Sequence, residues 1–202
     1  MTEAQRQSPL HRRHLEARVP LQTFAGWQLP AAYTNASDES AQVRGSVGIS
    51  DASYLTKLDV RSELPLSSPG RLWKLTPTHG LITSPLPINY VASSSITDVT
   101  SVYSAILLAG PNARAVLQKL TTLNVREAAL PDGAARQTRL AHVNAMILRS
   151  DHSGLPGFLI LNTRDLAEHV WDALLHSGQE FGVCPFGMVA QQQWMEVGHG
   201  DT

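Results

Sequence analysis

The chain has 202 residues, 43% of them hydrophobic and 16% charged, with 16 Lys+Arg against 17 Asp+Glu for a formal net charge of -1. That apolar content excludes disordered and fibrous architectures, and the length suits one domain or two small lobes around a shared core. The charge balance excludes a broad cationic surface for nucleic acid. The longest apolar run, Ala105 to Ala109, stops at Gly110-Pro111 and is too short for a membrane span. Residues Met1 to Arg18 are polar and hold no apolar core of an export signal. The single cysteine, Cys184, has no internal disulfide partner, so a reduced, cytoplasmic setting is expected.

In chain order, Met1 to Val19 reads as a charged segment that frays at its start. Phe24-Ala25-Gly26-Trp27-Gln28-Leu29-Pro30 reads as an ordered apolar loop. A helix is expected from about Asp38 to Val47, capped by Ser37 or Asp38 and ended by Gly48. Tyr54 to Arg61 alternates as a half-buried strand, with Leu58 and Val60 on one face and Lys57 and Asp59 on the other. Ser62 to Thr100 carries Pro65, Pro69, Pro77, Pro85 and Pro87, which points to extended connection with a short helix at Arg71 to Leu75. Val102 to Ala109 is an apolar strand, and Gly110-Pro111-Asn112 leads into a helix over about Ala113 to Thr121. Thr138 to Arg149 contains another strand, His152 to Gly157 turns the chain, and Phe158 to Leu161 closes a hairpin. Asn162 or Thr163 then caps a helix with Leu166, Val170 and Leu174 on its buried stripe and Gly178 at its end. The sum is an α+β fold: antiparallel sheets with flanking helices. Two lobes, about 1–61 and 101–202, are joined by the Pro/Ser-rich segment 62–100 within a single domain, 1–202.

Phosphate-cradling loops, dinucleotide fingerprints and paired zinc cysteines are absent from the sequence. His11 and His14 stand three apart, but the two arginines between them repel a cation, so the pair reads as a solvated basic start and no metal is assigned. His142 suits a core histidine in a strand, while His169 and His176 lie on the polar side of a helix. Cys184, between Val183 and Pro185, has no cation beside it and reads as a buried structural thiol. Trp27, Tyr33 and Tyr54 are candidates to line a slot for a flat ring, although core packing is the commoner fate of such side chains.

Several blocks together go further. Phe24 to Pro30, Tyr33, Val43-Arg44 and Gly48-Ile49-Ser50-Asp51-Ala52-Ser53-Tyr54-Leu55-Thr56-Lys57 resemble the N-terminal part of the glycine cleavage system T-protein (aminomethyltransferase) family in order and spacing. Ala109 to Leu117, Val170 to Leu175, Glu180-Phe181-Gly182 and Pro185-Phe186-Gly187 are similar to later landmarks of that family. Thr138 to Val143, Arg149 and Arg164 to Ala167 are also similar to the gamma subunit group of sarcosine oxidase, which the chain length fits better. The resemblance implies a tetrahydrofolate-binding fold of ferredoxin-like and α+β lobes around a central channel. It also implies one-carbon transfer, in which an aminomethyl group leaves a lipoyl arm, ammonia departs and methylene-tetrahydrofolate forms.

The departures from that family are specific. Its catalytic Asp has no counterpart in Ser62 to Thr100, and Asp98 is a lone acid there. Its pterin-holding Glu after Gly-aromatic is replaced in Gly157-Phe158-Leu159, and its Arg-Asp pair reads Gln191-Gln192. The sequence stops at Thr202, where T-proteins continue into a C-terminal barrel. The resemblance therefore implies a folate pocket lined by Phe24, Trp27, Tyr33, Asp51, Tyr54 and Phe158, with Gln191 and Glu196 as polar candidates and no catalytic residue assigned. The leading expectation is an aminomethyltransferase-like, tetrahydrofolate-binding protein of one-carbon metabolism with degenerate catalysis. A second is a non-catalytic subunit of the sarcosine oxidase gamma type with a partner subunit, which an exposed apolar patch around Leu64 to Leu86 would favour. A third expectation is another, less polar small molecule beside Leu159. Nucleic acid and membrane are not expected partners.

Overall fold

The computed structural model describes residues 5–62, 70–90 and 95–196. In chain order its elements are β1 (Arg6–Gln7), α1 (His11–Glu16), β2 (Leu21–Phe24), β3 (Trp27–Pro30), α2 (Ala36–Gly45), β4 (Gly48–Asp51) and β5 (Thr56–Val60). Then come β6 (Arg71–Thr76), β7 (His79–Ser84), β8 (Ile96–Asp98), β9 (Tyr103–Ala109), α3 (Ala113–Gln118), β10 (Ala135–Leu140), β11 (Val143–Arg149) and β12 (Gly157–Thr163). A 3-10 turn at Arg164–Leu166 precedes α4 (Ala167–Gly178), and β13 (Cys184–Pro185) and α5 (Met188–Glu196) follow.

Among the described residues these strands make three sheets. The largest has the order β10-β11-β12-β9-β4-β13, antiparallel except where β13 runs parallel to β4. A second, antiparallel sheet has the order β6-β7-β5-β8, and a small one has the order β1-β3-β2. This is the expected α+β fold of antiparallel sheets and flanking helices, with no closed barrel.

Alternation along β9 and β12 divides the core. Ile106, Leu108, Phe158 and Ile160 turn toward α3 and α4, where Val116, Leu117, Val170, Trp171 and Leu174 cover them. Leu107, Leu159 and Leu161 turn to the other face, against Trp73 and Leu81 of the β6–β7 hairpin and Trp194 of α5. A substituent at Gly157 would collide with the carbonyl of Ser150, so glycine there lets β12 start close to the preceding turn.

Several local expectations are corrected. Arg71 to Leu75 is strand, not helix, because Trp73 pairs with Leu81 and buries its ring against the main sheet. Within its described residues, the proline-rich segment is not plain connection: it supplies β6, β7 and β8. Pro77 occupies the β6–β7 turn and Pro85 and Pro87 follow β7, so these prolines punctuate strands where no ladder donor is needed. Phe24 to Pro30 belongs to the β2–β3 hairpin, whose turn residues Ala25 and Gly26 have φ of 48° and 79°. The strand expected in Thr138 to Arg149 is a β10–β11 hairpin turning at Ala141 and His142, with φ of 48° and 69°. His142 is therefore an exposed turn residue rather than a core histidine.

Helix α2 starts two residues early because Asn35, not Ser37 or Asp38, caps it by accepting the Asp38 N–H. The helix after β12 receives no side-chain cap from Asn162 or Thr163; Asn162 instead accepts from the Ser104 hydroxyl across the β9–β12 ladder. The start of the N-terminal segment, where fraying is expected, lies outside the described residues; from Gln5 onward the segment forms β1 and α1. Leu10 and His14 are fully buried where α1 packs against β3. Helix α5 is an element that the sequence reading did not anticipate.

Candidate functional site

Residues 54–56 separate two clefts. Alternation sends Leu55 into an inner cleft of about 600 Å³ and Tyr54 and Thr56 into an outer cleft of about 630 Å³; Pro85 lines both. The inner cleft lies between the β6–β7 hairpin, the face of β9 and β12 turned away from α3 and α4, and α5. Trp73, Leu107, Leu159 and Trp194 form its apolar walls, and Arg71, Thr83, Ser84, Ser150 and His152 supply its polar groups.

The inner walls are held in place by hydrogen bonds. Trp73 Nε1 donates to Thr83 Oγ1 at 2.8 Å. The Arg71 guanidinium lies 4.3 Å from the Trp73 ring centroid and donates to Ser150 Oγ at 2.7 Å and to Asp132 Oδ1 at 2.9 Å. His152 Nδ1 sits 3.0 Å from the Ser150 carbonyl, which can only accept, so Nδ1 carries the hydrogen; its ring leans on Trp194 with centroids 6.2 Å apart. No carboxylate lines this cleft among the described residues.

The sequence-predicted site residues fall in four places. Trp27 and Tyr54 line the outer cleft, and Phe24 meets Tyr54 edge-to-face with centroids 4.9 Å apart. Tyr33 and Asp51 join a closed polar network instead. Tyr33 Oη lies 2.8 Å from His14 Nδ1, His14 Nε2 lies 2.9 Å from Asp51 Oδ2, Ser8 Oγ donates to the same carboxylate, and Ser53 N–H donates to Oδ1. Burial alone would raise the Asp51 carboxyl, but the hydrogen bonds from His14, Ser8 and Ser53 outweigh it and hold it below the ordinary carboxylate value. This network uses His14 internally, which corrects the expectation of a solvated basic start and puts Asp51 outside both clefts.

Phe158 is fully buried on the helix side of the main sheet, and its neighbour Leu159 takes the cleft side. Gln191 is fully buried on α5, and among the described residues neither its side-chain amide nitrogen nor its oxygen has a protein partner. Glu196 ends α5, and its side chain lies outside the described residues. Of the patch considered around Leu64 to Leu86, Leu64 also lies outside the described residues. Leu86 is 70% exposed at the rim of the inner cleft, and Leu81 is buried.

Sequence reasoning missed Trp73, Trp194, Lys57 and Glu39. The alternation of Leu72, Trp73, Lys74 and Leu75 was the signal for the first, and the helix-forming run Met188 to Glu196 for the second. Lys57 is fully buried, and its ammonium donates to the carbonyls of Ser53, Leu55 and Thr100 at 2.9, 2.8 and 3.3 Å. Desolvation lowers it from 10.5 to about 8. Cys184 is half-buried, and burial followed by the charge of Glu39 pushes its thiol up. The described residues contain no cluster of three or more metal-ligating side chains and no helix long and apolar enough to cross a membrane.

Comparison with known proteins adds a lineage. The family profile of the GCVT N-terminal domain matches residues 82–200. Aminomethyltransferase from Thermotoga maritima is 24% identical across 92% of this chain and 62% of its own length. The same enzyme from Halothermothrix orenii is 25% identical across 92% and 63%. The chain thus spans just over three fifths of the length of these relatives. In structure it is similar to the glycine cleavage system aminomethyltransferase T from Bartonella henselae, with a TM-score of 0.72, 19% identity and coverage of 94% of this chain and 61% of that one. It is also similar to a chain of the heterotetrameric sarcosine oxidase from Corynebacterium sp. U-96, with a TM-score of 0.59, 17% identity and coverage of 87% and 96%.

Proposed function

Because the chain belongs to the GCVT N-terminal domain family, we propose that it is an aminomethyltransferase-like protein of cytoplasmic one-carbon metabolism that binds tetrahydrofolate in the inner cleft and has lost the transfer step. The observation that carries the reading is the cleft itself, about 600 Å³ walled by Trp73, Leu107, Leu159 and Trp194. A flat heterocycle gains stacking and apolar burial between such walls. The hydroxyls of Ser84 and Ser150 are neutral acceptors for ring N–H groups, in a cleft where the resemblance expects a carboxylate at position 159. Losing a charged acceptor costs roughly 1.5–3 kcal/mol, so the fit is to the ring's faces more than to its donors.

Tetrahydrofolate, when bound, supplies the nucleophilic nitrogens that take up a one-carbon unit. The chain's own contribution is to orient the ring between Trp73 and Trp194 and to exclude water. The test is a titration with tetrahydrofolate read by tryptophan fluorescence in a Trp27→Phe, Trp171→Phe background, which leaves Trp73 and Trp194 as reporters in the inner cleft. Saturable quenching at roughly micromolar ligand, weakened in a Trp194→Leu variant, is the expected result. A flat response up to about millimolar ligand would sink the reading.

A second reading, a non-catalytic subunit in a larger assembly, draws on one observation: the chain aligns with 96% of a single chain of a heterotetramer. Co-expression with the products of neighbouring genes and size determination of the purified material tests it. A stable hetero-complex supports it, and recovery of this chain by itself opposes it.

A further inference from the structure

The outer cleft has a different chemistry from the inner one. Arg6 stands on β1 directly opposite Trp27 in the ladder, and its guanidinium lies 5.8 Å from the Trp27 ring centroid. Asp98 lines the same cleft from β8, in a different sheet, with Tyr54 and Thr56 along the wall. Its Oδ1 accepts the Thr100 N–H at 2.8 Å, which fixes the carboxylate in an Asx turn. Among the described residues neither Arg6 nor Asp98 forms an ion pair, with each other or with another group. Lys57, buried on β5, acts electrostatically on Asp98 but gives its hydrogens to three carbonyls. Of the uncharged polar lining groups, Gln5 is committed to Thr23 and Gln28.

A cleft that keeps one guanidinium and one carboxylate apart, across an aromatic floor, is complementary to a ligand with the opposite dipole. A guanidinium presents a planar fork to a carboxylate. An ammonium fits between a carboxylate and aromatic faces, where the ring quadrupole adds to the attraction. A simple anion or a simple cation satisfies only half of the site and leaves the other charge facing its like. We propose that the outer cleft binds a zwitterion, a free amino acid or short peptide, with its carboxylate on Arg6, whose guanidinium already lies over Trp27, and its ammonium on Asp98 beside Tyr54. The volume of about 630 Å³ leaves room for a side chain or a second residue. This inference is independent of folate in the inner cleft.

Calorimetric titration of the full chain with glycylglycine at low ionic strength tests it, with methylammonium and acetate as half-ligands. Saturable binding of the dipeptide is expected, at least roughly tenfold tighter than either half-ligand and weakening as salt is added. Arg6→Met and Asp98→Asn change exposed side chains, so folding is preserved, and each is expected to erase the preference over the half-ligands. Leu159→Glu, in the other cleft, is expected to leave dipeptide affinity unchanged. No saturable heat at tens of millimolar dipeptide, equal binding of the half-ligands, or full affinity in both variants overturns the proposal. Tetrahydrofolate binding without dipeptide binding sinks this inference alone, and the converse sinks only the folate reading.

Discussion

Lys57 is the residue whose role differs most from its place in the sequence pattern. The alternation of Tyr54 to Arg61 assigns it to the polar face of a half-buried strand, yet it is fully buried. Period-two patterning sees only that one face is apolar; it cannot see that a second layer, here the loop carrying Thr100, covers the other. The ammonium stays because three carbonyls accept from it, but desolvation holds it near 8 against an ordinary 10.5. The unfolded chain therefore binds more protons than the folded one between those values, and stability rises as pH climbs through that window. Below about 8 the fold carries the whole cost, roughly 3 kcal/mol. Thermal or urea unfolding of the wild type is expected to gain about 2 kcal/mol between pH 7.5 and 9.5. Lys57→Met removes this pH-dependent gain, and an unchanged slope in the variant would contradict the assignment.

The elements that form the site are held by contacts between segments far apart in sequence. Glu39, buried in α2, accepts from the Tyr33 and Thr34 N–H groups through Oε1 at 2.5 and 2.8 Å and from the Gly187 N–H through Oε2 at 2.9 Å. One carboxylate thus ties the loop before α2 and the start of α5 to the same point, and α5 brings Trp194 to the inner cleft. Glu39→Ala leaves three backbone donors without an acceptor and is expected to cost about 3 kcal/mol or more by urea unfolding, with a red shift of tryptophan emission that is lost when Trp194 is also replaced by Phe. Glu39→Gln keeps an acceptor oxygen and is expected to recover part of that loss. A variant as stable as the wild type would show that α5 docks by apolar packing alone.

Sequence periodicity was informative for elements whose pairing is local and apolar, such as β9, β12 and α4. It failed at hairpins without an Asn-Gly or Asp-Gly signal, because Ala25, Ala141 and His142 take left-handed turn conformations that those residue types rarely adopt. It also failed at α5, where polar glutamines hide a helix that is anchored by Glu39.

At the scale of the whole molecule, family blocks located the lineage and the α+β fold, but not the arrangement of the side chains. The candidate residues chosen from those blocks separate in space. Trp27 and Tyr54 go to the outer cleft, Tyr33 and Asp51 to a sealed network with His14, and Phe158 to the helix-side core. Each separation follows from alternation or from pairing between distant segments, which a single sequence does not display. The position that the resemblance marks as altered, Leu159, does line the inner cleft. The central claim, a folate cleft with its charged acceptor missing, therefore turns on that one side chain.

The measurement that tests the claim most directly is calorimetric titration of the wild type and Leu159→Glu with tetrahydrofolate, each variant first checked for cooperative unfolding. The account predicts one-to-one binding in the wild type and affinity about tenfold or more higher in Leu159→Glu, because the new carboxylate accepts the ring's N–H groups. No heat in either protein, or binding that Leu159→Glu leaves unchanged or abolishes without unfolding the chain, would contradict it.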